Sequence, residues 1–281
     1  MNHNELGYSP ATSDGGSPHK YALVFMNHSL DLAGYADELL QAATSPDYPN
    51  AVNGLQLENR APIRAIAAAV DFSTRAIQGA IEKGANFLIV HHGMFWGGVG
   101  PFSGPSYRTL RILMENDIAV YSSHLPLDRH PTLGNNALLA AELGLTPTGS
   151  FARFQDTFIG VSGESDIETT SLTSRAREFA KPYGEIRTSM VKGGRRTRKW
   201  GICTGAGASS ETLREASTTG IDTLIVGEGP HWTAIHAEEH ELAIIYAGHY
   251  ATETLGVRAL AQHLAEKYEI PWSFISAPTG L

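Results

Sequence analysis

Three short apolar runs, over residues 63–70, 86–90 and 119–122, alternate with two segments of helical periodicity, and this alternation restricts the fold more than any other feature. Runs this short, without a polar face, read as strands buried on both sides. A helix over 73–83 joins the first two runs and is stopped by Gly84, a residue suited to the left-handed cap that ends a helix. A second helix, over 107–116, joins the second run to the third. Strands connected through helices lie parallel, so an α/β architecture is expected. Upstream, Ser29 is placed to cap a helix with Leu32, Tyr35, Ala36, Leu39 and Leu40 on one face, and a loop carrying Asn53, Gly54 and Gln56 follows.

Beyond a helix over 135–143, which ends at Gly144, the order of elements changes. A strand near 158–162, a helix near 171–179 and a hairpin across 186–200 through Gly193 and Gly194 are expected. They are followed by strands over 199–204, 223–226 and 243–246, with helices over 210–218 and 232–239 between them. The last helix, over 254–267, aligns Val257, Leu260, Ala261, Leu264 and Tyr268. A chain of 281 residues accommodates two domains. The expected division is a flexible tail over 1–27, a metal-binding α/β domain over 28–130 plus 246–281, and a second α/β domain over 131–245.

Composition narrows the class of function. With 42% apolar and 18% charged residues the chain has the make-up of a folded globular protein. A formal charge of −8 gives no broad basic surface for nucleic acid or anionic lipid. The local basic run over 195–199 reads as a solvated turn. Cys203 is the single cysteine, set in an apolar run where burial is expected, and no internal disulfide can form. No apolar stretch approaches the roughly 18 residues that span a bilayer, and the polar leader over 1–20 has no aliphatic periodicity. A cytoplasmic protein without membrane or nucleic-acid partners is therefore expected.

Chemistry concentrates where strands end. His91 and His92 directly follow one apolar run, and Gly93, Gly97 and Gly98 make the next segment a loop. Ligands of parallel sheets bind at these carboxyl ends. Neighbouring side chains on a strand point to opposite faces, so both imidazoles can serve one site only if the strand stops at Gly93. The run over 119–122 leads likewise into His124 and Asp128, with Pro126 forbidding a continued ladder. The third such end leads into His249 and Glu253, four positions apart and on one side of a helical turn.

A lone histidine is more often structural than a ligand. Three histidine-bearing strand ends, two with a carboxylate four residues on, point to a metal site. Imidazole and carboxylate together suit zinc, iron, manganese, cobalt or nickel, and the lack of a cysteine cluster argues against a structural zinc knot. A bridging Glu253 would hold two ions roughly 3.5 to 4 Å apart, the arrangement used in metal-assisted hydrolysis. Two weaker features remain. The Gly205-Ala-Gly207 turn could offer backbone N–H groups to a phosphate, though a plain tight turn is the simpler reading. Asp222, Glu228 and His231 lie at a further strand and its exit and rank below the other candidates.

In order along the chain, Asn53-Gly-Leu-Gln56, Ala69-Val-Asp71, residues 84–92, 124–128 and 134–145, Gly205-Ala-Gly207 and residues 248–253 resemble the motifs of the GTP cyclohydrolase type 2 homologues. These are also called NIF-three-like dinuclear metal-centre proteins. The resemblance implies a two-domain α/β fold with mostly parallel sheets flanked by helices, and assembly as a homohexameric ring. It implies two divalent metal ions on His91, His92, Asp128, His249 and Glu253, with His124 beside them. The family's His-His-Pro is here His91-His-Gly93, and its threonine after the next histidine is Leu125. A dinuclear-metal-dependent hydrolase follows as the leading expectation, acting on GTP by opening guanine at C8 with release of formate. His124 or Glu253 would move the proton. A phosphoester or nucleotide hydrolase, and a non-enzymatic metal carrier or regulatory scaffold, are the alternatives, because one site can host many reactions.

Overall fold

Residues 27–280 are described in the computed structural model of the chain, and residues 1–26, which make up nearly all of the expected flexible tail, lie outside them. The first strands and helices are α1 (Ser29–Leu40), β1 (Gly54–Leu57), β2 (Ile66–Asp71), α2 (Thr74–Glu82), β3 (Phe87–His92), α3 (Gly104–Glu115) and β4 (Ala119–Ser122). A short helix α4 (Leu125–Asp128) and α5 (Asn135–Glu142) follow. Then come β5 (Gly149–Phe154), β6 (Thr157–Glu168), α6 (Thr169–Ala180), β7 (Arg187–Ser189) and β8 (Arg196–Cys203). The chain finishes with α7 (Ser210–Thr219), β9 (Thr223–Val226), α8 (Trp232–Glu239), β10 (Ala243–Tyr246), α9 (His249–Tyr268) and β11 (Trp272–Phe274).

The first sheet has the order β1-β4-β3-β2-β11 and is parallel except at β1. Side chains alternate between its two faces. Ile66, Ala68, Phe87, Ile89 and Tyr121 pack on α1 and α9, whereas Ala67, Ala69, Leu88, Val90 and Val120 pack on α2 and α3. Both faces are covered, which is why these strands carry no polar stripe. Helix α1 buries Leu32, Ala36 and Leu40 as its spacing predicts, together with Ala33, while Tyr35 and Leu39 of the expected face are partly buried against the same core. Its cap is His28 rather than Ser29: the Asp31 carboxylate accepts from the His28 N–H at 3.0 Å, and Ser29 is buried inside the first turn.

Three further readings are corrected. The segment expected as a loop around Gly54 and Gln56 is the edge strand β1, paired antiparallel with β4. Four residues with no β-branched side chain leave no strand signature. The expected hairpin across 186–200 does not form: β7 pairs with β10, while β8 lies between β6 and β9. The basic run is not a solvated turn either. Arg195 donates to the carbonyls of Asp222 and Glu241, and Arg196 opens β8 in contact with Asp166.

The second sheet, ordered β5-β6-β8-β9-β10-β7, is mixed: β8, β9 and β10 run parallel, and the outer strands pair antiparallel. Trp200, fully buried on β8, packs with Leu139, Leu143, Leu172 and Ala176. Its cross-strand partner is Gly163, where a Cβ would overlap the indole. Trp200→Ala is expected to cost about 3–5 kcal/mol of stability, read as a lowered urea midpoint. An unchanged midpoint would remove Trp200 from the core. Cys203, at the end of β8, is buried, and burial pushes its thiol above the usual range.

Helix α9 joins the two sheets. Ala251 and Leu255 in its first half pack in the core of the second sheet, and Val257, Leu260, Ala261 and Leu264 pack on the first. Its amino end therefore lies where the strand ends of both sheets meet. Among the described residues no helix is long and apolar enough to cross a membrane.

Candidate metal centre

β3 runs through both His91 and His92, with His92 still in register with Asp71 on β2. The strand thus stops at Gly93 as expected, its last residue, His92, lying two positions beyond the apolar run over 86–90. The pleat separates the two side chains at Cβ, but their length and the end of the ladder allow the rings to meet, 4.9 Å apart. His124 caps α4 with its ring 4.8 Å from that of His91. His249 opens α9, and one turn later Glu253 is buried beneath it.

The Glu253 carboxylate sits between the imidazoles. Its Oε1 is 3.6 Å from His91 Nε2 and 3.2 Å from His249 Nε2, while Oε2 is 3.6 Å from His92 Nε2. Asp128 Oδ2 lies 3.4 Å from His91 Nε2. All five residues implied as ligands, together with His124, share one cluster. Within it, ligand atoms of His91, His92 and His124 lie within 4.8 Å of one another, as do those of His92, His249 and Glu253.

Every imidazole is anchored through Nδ1. His91 Nδ1 meets the Ser123 carbonyl at 2.9 Å, His92 meets Asp71 at 2.9 Å, His124 meets Asp47 at 2.8 Å and His249 meets Glu228 at 2.9 Å. Carbonyl and carboxylate oxygens only accept, so each Nδ1 carries the proton and each Nε2 lone pair is left for the cluster. Asp128 Oδ1 is held by Asn135 at 2.8 Å and by the Thr204 hydroxyl at 3.3 Å. Asn53 and Gln56 hold the strand ends: Asn53 Oδ1 accepts from His124 N–H at 2.8 Å, and Gln56 Oε1 accepts from Met94 N–H at 2.6 Å.

Charge distribution in the cluster favours a cation. Burial opposes protonation of His91, but Asp128 and Glu253 outweigh it and hold the imidazole well above its ordinary range. His249 is likewise raised to about 9, burial being overcome by Glu253 and Glu228. Glu253 stays well below the usual carboxylate range because His91 and His92 outweigh its burial. Yet His91 Nε2 and Glu253 Oε2, both deep in the protein, have no hydrogen-bond partner. Buried polar atoms are normally paired. Lone pairs converging from imidazole and carboxylate, two of them orphaned, fit a divalent metal.

The lower-ranked candidates separate. Glu228 orients His249. Asp222 accepts from the N–H groups of Arg198 and Lys199, linking β9 to β8, and His231 is exposed at the start of α8, outside the ligand groups. The Gly205 turn does not present a free phosphate cradle: Gly205 N–H donates to Thr252 Oγ1 at 3.1 Å. Gly205 adopts φ +62°, and a Cβ there would overlap Glu253 Oε1. Gly205→Ala is therefore expected to displace the carboxylate and reduce metal content while the far-ultraviolet spectrum stays native. Full metal content in that variant would show that the turn does not position Glu253. Sequence reasoning gave no role to Asp71 or Asp47. Asp71 ends an apolar strand beside the histidines and was legible on that ground, whereas Asp47 lies in a loop with no local signal.

Fold and site together define an α/β protein with two helix-flanked sheets and a buried His/Glu cluster compatible with metal binding. The sequence model of the Duf34/NIF3 (NGG1p interacting factor 3) family matches residues 29–279, and the chain belongs to that family. A relative in Deinococcus radiodurans, named GTP cyclohydrolase 1 type 2 homolog, is 39% identical over 89% of this chain and 94% of its own. One of the same name in Escherichia coli is 37% identical over 89% and 98%. Among solved structures, protein ybgI, described as of unknown function, superposes with a TM-score of 0.81 at 33% identity, covering 90% of this chain and all (100%) of its own. HcgD from Methanocaldococcus jannaschii shares the fold, with a TM-score of 0.76 at 23% identity over 89% of this chain and 98% of its own.

Proposed function

We propose that the protein is a dinuclear-metal-dependent hydrolase of a small nucleotide, with GTP as the first substrate to test and formate release from guanine C8 as its reaction. The observation that carries this reading is the Glu253 carboxylate, whose two oxygens face different imidazoles, each presenting Nε2. The naming of relatives as GTP cyclohydrolase homologues supports the choice of substrate.

His91 and Asp128 would hold one ion and His92 and His249 the other, with Glu253 shared and His124 at their side. Zinc, iron, manganese, cobalt and nickel all suit this donor set. When bound, such ions act as Lewis acids and bring a water to a pKa near neutrality. The chain's own residues do the rest. The anchored Nδ1 atoms keep the imidazoles from rotating, and the deep placement of His91 and Glu253 excludes bulk water from the floor. His124, with Nδ1 on Asp47, keeps Nε2 for taking a proton from the reacting group and returning it to the leaving atom. A ring-shaped homo-oligomer in the cytoplasm completes the reading, to be checked by light scattering and fractionation.

The test is metal content per chain on protein purified without a metal-affinity step, then GTP turnover before and after chelation and re-metallation. About two ions per chain and formate release that follows metal occupancy are expected, in line with a two-metal centre. Bound metal with turnover only of phosphoesters, or with stoichiometric metal transfer and no turnover, would reassign the protein to those activities. A chain that takes up no metal would overturn the reading.

A further inference from the structure

A cavity of about 390 Å³ opens directly on the candidate metal centre, with His92 and His249 in its wall. That size suits a small-molecule site. Two of its lining residues, Trp96 and Arg75, have no part in holding the cluster.

Trp96 follows β3 in the glycine-rich loop and remains 38% exposed. Its indole packs beside the candidate ligand His92 and beside His124, with ring centres 4.9 Å and 4.6 Å away and planes inclined by 53° and 63°. Tyr48, itself exposed, meets it edge-on at 6.4 Å. A large aromatic surface left in water beside a polar centre is where a planar ligand gains most by covering it. Arg75 is the only lysine or arginine among the lining residues. Its guanidinium donates to the carbonyls of Ala277 and Pro278, using two of its five N–H groups. Among the described residues no carboxylate lies within ion-pair distance of it. The acids that also line the cavity, Asp71 and Glu228, are already engaged with His92 Nδ1 and His249 Nδ1. Among the described residues Arg75 therefore has no charged partner and keeps donors for an anion.

We propose that this cavity is the recognition cleft for a purine nucleotide, whose ring stacks on Trp96 and whose phosphate is taken by Arg75. The inference rests on the hydrolase reading above and assigns the residues that would select its substrate. Neither residue touches the chemistry; both position the ligand over it.

The experiment measures binding of guanosine, guanosine monophosphate and ribose 5-phosphate to the metal-loaded full chain by titration calorimetry, with metal content recorded for every variant. Trp96→Ala is expected to weaken guanosine and guanosine monophosphate by roughly 5- to 150-fold, the range for loss of one base–aromatic stack, and to leave ribose 5-phosphate unchanged. Trp96→Phe should restore most of that loss. Arg75→Gln should weaken the two phosphate-bearing probes and spare guanosine, whereas a purely structural role for Arg75 would shift all three alike. Metal content should stay at the wild-type level throughout. Wild-type protein without metal would defeat the hydrolase reading itself. Metal-loaded wild type that binds none of the probes overturns the cleft assignment alone, as does Trp96→Ala that lowers metal content without discriminating between probes.

Discussion

Replacing Glu253 with Gln is expected to remove at least one of the two proposed ions from each chain, a loss measurable by elemental analysis after gel filtration. The carboxylate is nearly fully buried, yet its Oε2 has no hydrogen-bond partner and both oxygens face imidazole nitrogens. An amide has the same shape but no charge, and it turns one donor toward Nε2 atoms that also need a positive partner. Groups that merely orient a ligand typically change metal affinity by about 10- to 100-fold. Loss of the Glu253 carboxylate is expected to exceed that range, because both proposed ions would depend on it. Glu228→Gln supplies the comparison: it perturbs only the anchor of His249 Nδ1 and should stay within the range for an orienting group. Unchanged metal content in the Glu253 variant would take this residue out of the site.

Chelation should lower the melting temperature by a margin that no surface change produces. Ligands that bind only the folded chain stabilise it by mass action, about 4 kcal/mol when the free ligand stands a thousandfold above its dissociation constant. For chains of this size about 1 kcal/mol corresponds to roughly 2–4 °C, so a decrease on the order of 10 °C is expected. The site gives the physical reason: without a cation, Asp128 and Glu253 crowd the buried His91 with charge that only protons can balance. Differential scanning calorimetry before and after chelator, and again after re-metallation, measures the effect. A melting temperature that ignores both treatments would mean that the cluster is satisfied without metal.

The first sheet was legible because its runs are short, apolar and separated by capped helices. β4 was read to its residue, and β2, α2 and β3 within a few positions. β1, β5 and β11 escaped because edge strands are set by a partner rather than by their own periodicity. β11, for instance, is only Trp272–Phe274, aligned against β2. The supposed hairpin failed for a related reason. Two segments close in sequence and joined by glycines read as neighbours, whereas the sheet places two strands, β9 and β10, between β8 and β7, with β10 pairing with β7.

The candidate site divides in the same way. Which residue types stand at strand ends is written in the chain, so His91, His92, His124, Asp128, His249 and Glu253 could be named from spacing and resemblance. Their convergence could not. It depends on α9 packing against both sheets, so that a helix beginning at the end of β10 carries Glu253 under the histidines of β3. The acceptors at the Nδ1 atoms are similarly remote in sequence, Asp47 from His124 and Asp71 from His92. By itself the sequence determined the α/β class, the covered parallel strands and the inventory of metal-ligating groups, because periodicity and residue chemistry act locally. Tertiary structure alone decided strand order, the tautomers of the imidazoles and the shared carboxylate, because those depend on which distant segments share a buried interior.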